Sequence, residues 1–325
     1  MNDLASFQPL IDGLTPWQGF VPQGYVADHM GTLTDIRFQP LSGLSPAQVG
    51  GRHTIVRPPG MAEGGNGEWW FETVNWLTAA REANGSFTMI TLGACFGAQA
   101  VGAHKALQMV NPMPCKLVAV EPVPENLAWI HQHFRDNGID PADHWLVPLA
   151  IGDSNAPVLF PVGGPGTGAN NSFSTNETAA RQNYVEMLAA SDQAREALEN
   201  LLVRNTTGLI KDMVPGQDVF AEIKLVSCVT LGDLLGPFDR VDYLESDIQQ
   251  SEILVFPPFI DLLRRKVRRI HIGTHGGDVH EALHRLFADA GWEIVFSYAP
   301  NQHFETPIGA FDTNDGVLTV RNPDL

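Results

Sequence analysis

The chain has 325 residues, of which 44% are hydrophobic and 18% charged, and this composition excludes a largely disordered protein. It carries 37 acidic against 20 basic residues, for a net charge of −17. Because phosphate binding needs a basic face, we expect no nucleic-acid partner.

The N-terminal part, residues 1–66, is rich in glycine and proline and contains only short apolar pieces. We interpret it as an irregular arm or cap with a few strands. Residues 67–83 predict a helix with one apolar face, which ends at Asn84-Gly85. This helix opens the main domain, which we place at residues 67–325.

Strands and helices then alternate along the chain. Buried strands are predicted in FTMITLG, KLVAVEP, HWLVPLAIGD, the first part of AEIKLVSCVTLGDLL, VDYLESDIQ, KVRRIHIGTH, WEIVFSY and DGVLTVRN. Such alternation is typical of a doubly wound α/β fold, in which a parallel sheet carries helices on both faces. Because no helix separates the last two strands, they predict a hairpin-like edge on an otherwise parallel sheet.

Residues 161–215 interrupt this alternation. They begin as a loop rich in glycine and asparagine and continue as a predicted long helix. An insertion of this size in an α/β domain is usually a lid or a segment that shapes the substrate site, and a plain surface excursion is the alternative.

In an open α/β sheet the ligand binds beyond the carboxyl ends of the strands, so the residues that end each strand are the candidates for a site. The first strand ends in the turn LGACFG, where Gly93 and Gly97 lie four residues apart. Glycines at such a turn let the backbone approach a ligand, although tight packing alone explains many such turns. The three-glycine dinucleotide pattern is broken at Ala94-Cys95, which favours a compact ligand without a pyrophosphate.

The second and third predicted strands also end in acids. Glu121-Pro122 follows the second strand at the spacing expected for an acid that holds both hydroxyls of a ribose. The alternative is an acid that stabilises the start of the next helix. Asp153, after Ala150 on the third strand, either contacts an adenine amino group or caps a turn, and the residues do not decide between these.

The fourth strand ends in the densest polar cluster of the chain, with Asp247 at its tip. His275 ends the fifth strand and is a candidate general base near Asp247. His271 lies four residues earlier, which is too far along a strand for the two histidines to share a metal. Metal assistance from Glu245, Asp247, His275 and Asp278 is a variant, but their spacing matches no strong metal motif, and we predict no metal site.

The ordered series FTMITLGACFG, VAVEP, PLAIGD, TLGDLL with VDYLESDIQQSE, RRIHIGTH and DGVLTVRNP resembles the FkbM group of S-adenosylmethionine-dependent methyltransferases over about residues 60–325. The resemblance implies a class I methyltransferase (Rossmann-like) fold, with a mostly parallel seven-stranded sheet whose last strand is antiparallel. It implies S-adenosylmethionine in the glycine turn, its ribose on Glu121 and its adenine near Asp153. The cofactor-binding residues expected on this basis are Thr91, Gly93, Ala94, Gly97, Glu121, Pro122, Ala150, Asp153 and Asp247.

Two positions depart from the pattern of this group. The group usually has an acid just before the LGA turn, and this chain has Thr91. We therefore expect Thr91→Glu to tighten cofactor binding. In the fourth-strand motif Asp247 is kept, but Gln249 and Gln250 replace the acid and glycine that usually follow.

Enzymes of this group typically methylate a hydroxyl oxygen of a sugar or other secondary metabolite, and a carboxylate acceptor is also known. We accordingly predict an O-methyltransferase acting on a small polar molecule, with His275 or Asp247 taking the acceptor's proton. The predicted acceptor contacts are Asn170, Asn171, Ser172 and Gln249. The rival functions are a degenerate, non-catalytic scaffold that keeps this fold and a nicotinamide oxidoreductase, which the missing third glycine argues against.

The remaining expectations concern the surroundings of the protein. Three cysteines, an odd number, favour a reduced cytoplasmic protein, and no secretory signal is visible at the N-terminus. The longest uncharged run, residues 83–103, is broken by turn residues, so we expect no membrane span. The expected partner is the small-molecule methyl acceptor, with a homo-oligomer left open.

Overall fold

The structure is a computed structural model that describes residues 3–38, 44–61, 67–162 and 222–325. Most of the predicted insertion, including Asn170, Asn171 and Ser172, lies outside the described residues.

The elements follow the predicted alternation closely after residue 67. The β-strands are β1 Trp17–Val21, β2 Tyr25–Ala27, β3 Leu33–Asp35, β4 Arg52–Val56, β5 Phe87–Leu92, β6 Cys115–Val120, β7 Trp145–Val147, β8 Ala150–Gly152, β9 Val158–Val162, β10 Glu222–Val226, β11 Cys228–Thr230, β12 Val241–Ser246, β13 Val267–Thr274, β14 Glu293–Tyr298, β15 His303–Thr306, β16 Gly309–Asp312 and β17 Gly316–Arg321. The α-helices are α1 Gln8–Asp12, α2 Glu68–Glu82, α3 Ala98–Val110, α4 Pro124–Asp136, α5 Leu231–Leu235, α6 Glu252–Val255, α7 Ile260–Lys266 and α8 Gly277–Asp289.

A seven-stranded sheet forms the centre of the molecule, in the order β14-β17-β13-β12-β5-β6-β7. The strands from β13 to β7 in this order pair in parallel, and β17 runs antiparallel to both of its neighbours. The chain enters the sheet at β5 and moves outward through β6 and β7 before returning to β12. The order therefore reverses between β5 and β12, which is where ligands bind in doubly wound folds. This is the predicted class I methyltransferase fold, with its last strand antiparallel.

The two faces of the sheet carry separate hydrophobic cores because side chains alternate along each strand. Met89 and Tyr243 face the core under α1 to α4, which also holds Trp70 and Phe134. The other face, under α5 to α8, packs around residues such as Leu244. Helices on both faces leave only the strand ends open for chemistry.

The predicted third strand is corrected by the structure. HWLVPLAIGD does not form one strand, because β7 ends at Val147 and β8 begins only at Ala150. Pro148 lies between them, and proline has no amide hydrogen to continue the ladder. β8 leaves the main sheet and pairs in parallel with β11.

The N-terminal arm contains antiparallel pairs of β1 with β4 and of β2 with β3, and a short helix, α1, that the sequence did not predict. Leu4, Ile11 and Met30 of the arm belong to the same core as α2, so the arm lies on the first face of the sheet. In the part of the chain that the structure describes, no helix is long and apolar enough to cross a membrane.

Candidate active site at the strand ends

The glycine turn after β5 is held tightly against the end of β12. Gly93 has a φ of +76°, and a Cβ placed there would lie 2.1 Å from the backbone oxygen of Asp247. The Asp247 amide donates to the Leu92 oxygen at 3.0 Å. Glycine is required here because the two strand ends touch through their backbones, so the turn positions Asp247 directly.

The backbone amides at the start of this turn are bonded within the chain. Those of Gly93 and Ala94 both donate to the Val120 oxygen at the end of β6, at 3.1 and 3.0 Å. The Cys95 amide donates to Oε2 of Glu121 at 2.8 Å, and Cys95 adopts a left-handed φ of +48°. The turn is thus fixed by the second strand, and Gly97, with a φ of +85°, leads into α3.

Glu121 is the second partner of the turn and is only 4% exposed. Its Oε1 accepts from the Val123 amide at 2.9 Å and from the Asn126 side chain at 3.2 Å. Burial raises the pKa of the Glu121 carboxyl to about 7, although these hydrogen bonds oppose the shift. The carboxyl therefore stabilises the start of α4 and the turn together, and one lone pair on Oε2 remains for a ligand hydroxyl.

Thr91 does not point toward the turn. Its side chain is fully buried on β5, and its hydroxyl donates to Oε2 of Glu245 on β12 at 2.5 Å. Burial raises the pKa of Glu245 well above its usual range, and β12 already places this buried carboxyl beside position 91. A glutamate at position 91 would meet Glu245 inside the core. The structure therefore gives Thr91 a partner inside the core, and the expectation that Thr91→Glu tightens cofactor binding stays a prediction.

Asp247 and His275 meet at the tips of β12 and β13, as expected. Nε2 of His275 lies 3.4 Å from Oδ1 of Asp247 and 3.5 Å from Oδ1 of Asp315. Gln249 has a left-handed φ of +53°, and its side-chain nitrogen lies 2.7 Å from the same imidazole nitrogen and 3.0 Å from Oδ1 of Asp247. The three predicted residues Asp247, Gln249 and His275 are therefore in mutual contact.

The charge state of His275 follows from its acidic surroundings. Burial lowers its pKa, but the charges of Asp247, Asp315 and Glu252 outweigh this and raise it to about 9. His275 is thus an imidazolium at neutral pH, in which both ring nitrogens donate, so the 2.7 Å contact with the side-chain nitrogen of Gln249 is a hydrogen bond only when Nε2 is deprotonated. Its Nδ1 is buried without a hydrogen-bond partner in the described structure, as is Oε2 of the fully buried Glu252. Two orphaned polar atoms beside one ion pair mark a place where a bound group can complete the hydrogen bonding.

The predicted adenine contacts lie on a different ribbon. Ala150 is buried on β8, where its amide donates to the Ser227 oxygen at 2.9 Å. Asp153 follows this ribbon and is exposed, and Pro122 is half-buried beside Glu121. The residues predicted on the third strand are thus displaced from the central sheet, and their role in adenine binding stays a prediction.

Sequence reasoning placed Glu252 in the polar cluster after the fourth strand but gave it no role, and it missed Asp315. Glu252 lies in the first turn of α6, where its Oε1 accepts from the Ile248 amide at 2.9 Å, and the sequence signal was an acid soon after the fourth strand. Asp315 precedes β17 in an Asn-Asp-Gly turn and offered no signal, since its contact requires β17 to lie beside β13. Within the described ranges, no group of three or more histidine, cysteine or acidic side chains has the geometry to hold a metal ion.

The residues at the sheet switch point fit the methyl donor that the resemblance implies. A buried carboxylate with a spare lone pair, Glu121, ends the second strand and suits a ribose hydroxyl. Gly93 and Gly97 keep the turn before α3 free of side chains. Beyond the turn, Asp247 and His275 place charged groups at the ends of β12 and β13.

Comparisons with known proteins agree with this architecture. The family model described as "Methyltransferase FkbM domain" matches residues 93–294. A protein of Jannaschia sp. (strain CCS1) named "Putative methyltransferase" is 25% identical over 266 residues, which cover 80% of this chain and 82% of that protein.

Two methyltransferases are among the solved structures to which this chain is similar. The methyltransferase FkbM from Methylobacillus flagellatus KT is 10% identical, with a TM-score of 0.38 over 74% of this chain and 45% of that chain. The precorrin-6y C5,15-methyltransferase from Geobacter metallireducens GS-15 is also 10% identical, with a TM-score of 0.37 over 76% of this chain and 86% of that chain. The sheet order and the match to residues 93–294 therefore carry the assignment: the chain belongs to the FkbM family of methyltransferases, whose methyl donor is S-adenosylmethionine.

Proposed function

We propose that the protein methylates an oxygen atom, of a hydroxyl or a carboxylate, on a small polar molecule. The observation that carries this proposal is the His275–Asp247 pair, which lies against the glycine turn through the contact between Gly93 and Asp247. Methyl transfer to a hydroxyl needs a group that removes a proton beside the donor, and this pair is charged, buried on one side and close to the turn.

Glu121 and the turn residues would hold the donor. The Oε2 atom of Glu121 has the lone pair for a ribose hydroxyl, and the glycine positions let the backbone approach the ligand. S-adenosylmethionine supplies an activated methyl group when it is bound. The roles of Pro122, Ala150 and Asp153 around the adenine are part of this proposal.

Asp247 is the group that we propose takes the proton from a hydroxyl. His275 is already protonated at neutral pH, so it has no lone pair on Nε2 with which to accept another proton. The side chain of Asp247 is 43% exposed and so remains accessible to an acceptor. His275 then acts by holding the carboxylate in place, and Gln249 adds a hydrogen bond from its side chain.

A carboxylate acceptor would use the same residues differently. It needs no base at neutral pH, because it is already ionised. The positive charge of the His275 imidazolium would instead attract the carboxylate. Both acceptors require a protonated His275, so in either case the rate falls as pH rises through about 9. A rate that instead rises through about pH 9 would make His275 the base.

The decisive experiment is native mass spectrometry of the purified protein, followed by transfer of a labelled methyl group to a panel of sugars and hydroxy acids. Co-purified S-adenosylmethionine or its demethylated product, with label recovered on an oxygen, supports the proposal. Label on nitrogen or carbon would contradict it.

A non-catalytic scaffold is the second candidate, and one observation favours it. Both oxygens of Glu121 already accept hydrogen bonds from the chain itself, and the residue is 4% exposed. If the Glu121 carboxyl cannot exchange one of these hydrogen bonds for one from a ribose hydroxyl, the domain has the methyltransferase fold but does not bind S-adenosylmethionine. Calorimetry with S-adenosylmethionine separates the two, since no heat of binding at millimolar ligand would favour the scaffold.

A further inference from the structure

A cavity of about 250 Å³ is lined by the N-terminal arm and by the starts of α2 and α3. Its wall comes mainly from the arm between Val26 and Gln48, from the first half of α2 and from residues that follow Cys95 in the glycine turn. An apolar cavity of about 150 Å³ can hold benzene, whereas drug-sized ligands fill pockets of about 300–1,000 Å³. This cavity therefore has room for one substituted ring but not for a whole nucleoside cofactor.

Most polar side chains of the wall already have partners within the protein. Nε2 of His133 lies 3.2 Å from the hydroxyl of Thr34. The side chain of Gln99 donates to Glu72 and accepts from the Trp76 indole at 3.1 Å. A ligand with many hydroxyl groups would have to displace such hydrogen bonds, so the wall suits a molecule with few polar atoms.

Thr32 differs from these neighbours. Its hydroxyl is buried without a hydrogen-bond partner in the described structure, and the residue is only 6% exposed. Its backbone amide donates to Oδ1 of Asp28 at 2.8 Å, which holds the residue in place on the wall. A buried hydroxyl without a partner is costly, and an oxygen atom of a ligand in the cavity would complete it.

The charges around the cavity favour an uncharged ligand. None of the described lining residues is lysine or arginine, and burial lowers the pKa of the lining histidines His29 and His133, so an anion meets no positive charge. The acids offer little to a cation, because Oδ1 of Asp28 accepts from two backbone amides and burial raises the pKa of Glu72. Glu68 has an interaction partner in the chain as well. A charged ligand would therefore lose its hydration without gaining a free partner.

The aromatic part of the wall favours a ring. It consists of Trp69, Trp76 and Phe96. Trp69 is 38% exposed although it lines the cavity, so part of its ring surface is not covered by the protein. The indole nitrogen of Trp76 is already bonded to Gln99, which leaves its ring for apolar contact. Because aromatic pairs gain more than their buried area alone predicts, an aromatic ligand gains most from this wall.

We propose that this cavity binds an uncharged aromatic compound, one oxygen of which pairs with the hydroxyl of Thr32. The proposal rests on the proposed function in one respect, since it makes this compound the methyl acceptor. Phe96 belongs both to the glycine turn and to the wall, so a molecule in the cavity borders on the place proposed for the donor. The acceptor is then a phenol or aromatic alcohol with a second oxygen, and the oxygen that is methylated is the one not held by Thr32.

The test measures the binding of matched single-ring probes by calorimetry at saturating S-adenosylhomocysteine. Benzyl alcohol is uncharged, benzylamine is a cation and benzoate is an anion. We expect benzyl alcohol to bind at least about tenfold more tightly than either ion, because the wall has no free partner for a charge. A smaller preference, or no detectable binding of benzyl alcohol at tens of millimolar, overturns the proposal.

Thr32→Val keeps the shape of the side chain but removes its hydroxyl. We expect this variant to bind benzyl alcohol about three- to tenfold more weakly, the loss of one hydrogen bond between neutral groups, and to bind toluene as the wild type does. Thr54→Val is the matched control, because Thr54 belongs to the same arm but does not line the cavity, and it should change neither affinity. Thermal unfolding verifies that both variants fold. Equal affinity of Thr32→Val and the wild type for benzyl alcohol contradicts the proposal.

A last arm separates the acceptor from the donor. Thr32→Val should bind S-adenosylhomocysteine as tightly as the wild type, and weaker binding would assign Thr32 to the donor and overturn the proposal. In the assay with labelled methyl groups, 4-hydroxybenzyl alcohol should receive label on oxygen, with a KM that rises in Thr32→Val. Label on the oxygen of sugars or hydroxy acids alone would overturn this proposal and leave the proposed function intact. Label on nitrogen or carbon would contradict the proposed function itself, and this proposal with it.

Discussion

The ends of β5 and β6 and the ends of β12 and β13 lie side by side but are built differently. In the first pair the amides of Gly93, Ala94 and Cys95 all find partners on the neighbouring strand, and Glu121 binds three donors. In the second pair, polar atoms of Glu252 and His275 are buried without partners. The first half, at the ends of β5 and β6, is closed, because its polar groups bind one another. The second half, at the ends of β12 and β13, is incomplete, because some of its buried polar atoms have no partner among the described residues.

This difference indicates which half adapts to its ligand. A donor shared by a whole family is met by backbone geometry, which tolerates little change. Side chains with spare hydrogen-bonding capacity, in contrast, can be completed by a bound molecule. Mutations in the first half should therefore affect folding and donor binding, and mutations in the second half should affect the rate.

The largest effect is expected in the second half, from Asp247→Asn. The amide keeps the size of the side chain but cannot take a proton from a hydroxyl, so we expect the methyl-transfer rate to fall by about 10²–10⁴-fold. The rate is measured at saturating donor and acceptor, with donor affinity determined separately by calorimetry.

Asp315→Asn is the matched control, because Asp315 lies at nearly the same distance from His275 as Asp247 does. Both substitutions should lower the pKa of His275 from about 9, which an NMR titration of the imidazole follows. Only Asp247→Asn should cause the large loss of rate. Equal losses would show that the charge around His275 matters and that the proton does not go to Asp247.

Thr91→Glu should destabilise the first half. The new carboxyl would be buried beside Glu245, and an unpaired buried charge costs about 3 kcal/mol or more of unfolding free energy. Urea unfolding measures the loss, and Thr91→Val separates the removal of the hydroxyl from the addition of the acid. Tighter binding of S-adenosylhomocysteine to Thr91→Glu would instead mean that the side chain reaches the donor.

Gly93→Ala tests the contact that joins the two halves. The added Cβ would lie 2.1 Å from the Asp247 oxygen, so one strand end must move. Gly85 has the same φ of +76° but open space around its Cβ position, which makes Gly85→Ala the control for backbone conformation alone. We expect Gly93→Ala to lower the unfolding free energy, measured in urea, by about 2 kcal/mol more than Gly85→Ala does. Equal costs would show that the strand ends separate easily.

Sequence patterns predicted most of this fold because each central strand is a continuous apolar run. β5, β6, β12 and β13 begin and end within three residues of the predicted segments, and the antiparallel position of β17 followed from the family resemblance. Pro148 was visible in the sequence, but the apolar residues on both sides of it led to the prediction of one continuous strand.

Site residues could be predicted from the sequence only where the end of a single strand was enough to identify them. Asp247 and His275 were found because each ends a strand, and Gly93 because its turn is local. The pairing of Thr91 with Glu245 spans 154 positions of the chain and depends on β5 lying beside β12 in a particular register. Asp315 reaches His275 only because β17 inserts between β13 and β14. Strand order, rather than composition, decides such contacts.

The smallest effect is expected from Glu121→Gln, which tests whether the closed half opens to a ligand. If the carboxylate accepts a ribose hydroxyl, the affinity for S-adenosylhomocysteine should fall about tenfold, the loss of one hydrogen bond to a charged group. Since the pKa of Glu121 is about 7, the wild-type affinity should rise as pH increases through 7, and that of the variant should not. Calorimetry between pH 6 and 8 measures both.

Stability should move in the opposite direction. The folded state holds the Glu121 proton up to about pH 7, but the unfolded chain releases it near 4.5, so unfolding free energy falls as pH rises between these values and is level above them. Glu252, whose pKa burial also raises to about 7, makes the same contribution from the other half. Glu121→Gln and Glu252→Gln should therefore both flatten the pH dependence of unfolding, but only the first should change donor affinity. If neither variant alters donor affinity, Glu121 serves the turn and α4 alone, and the closed half of the site binds the donor through its backbone.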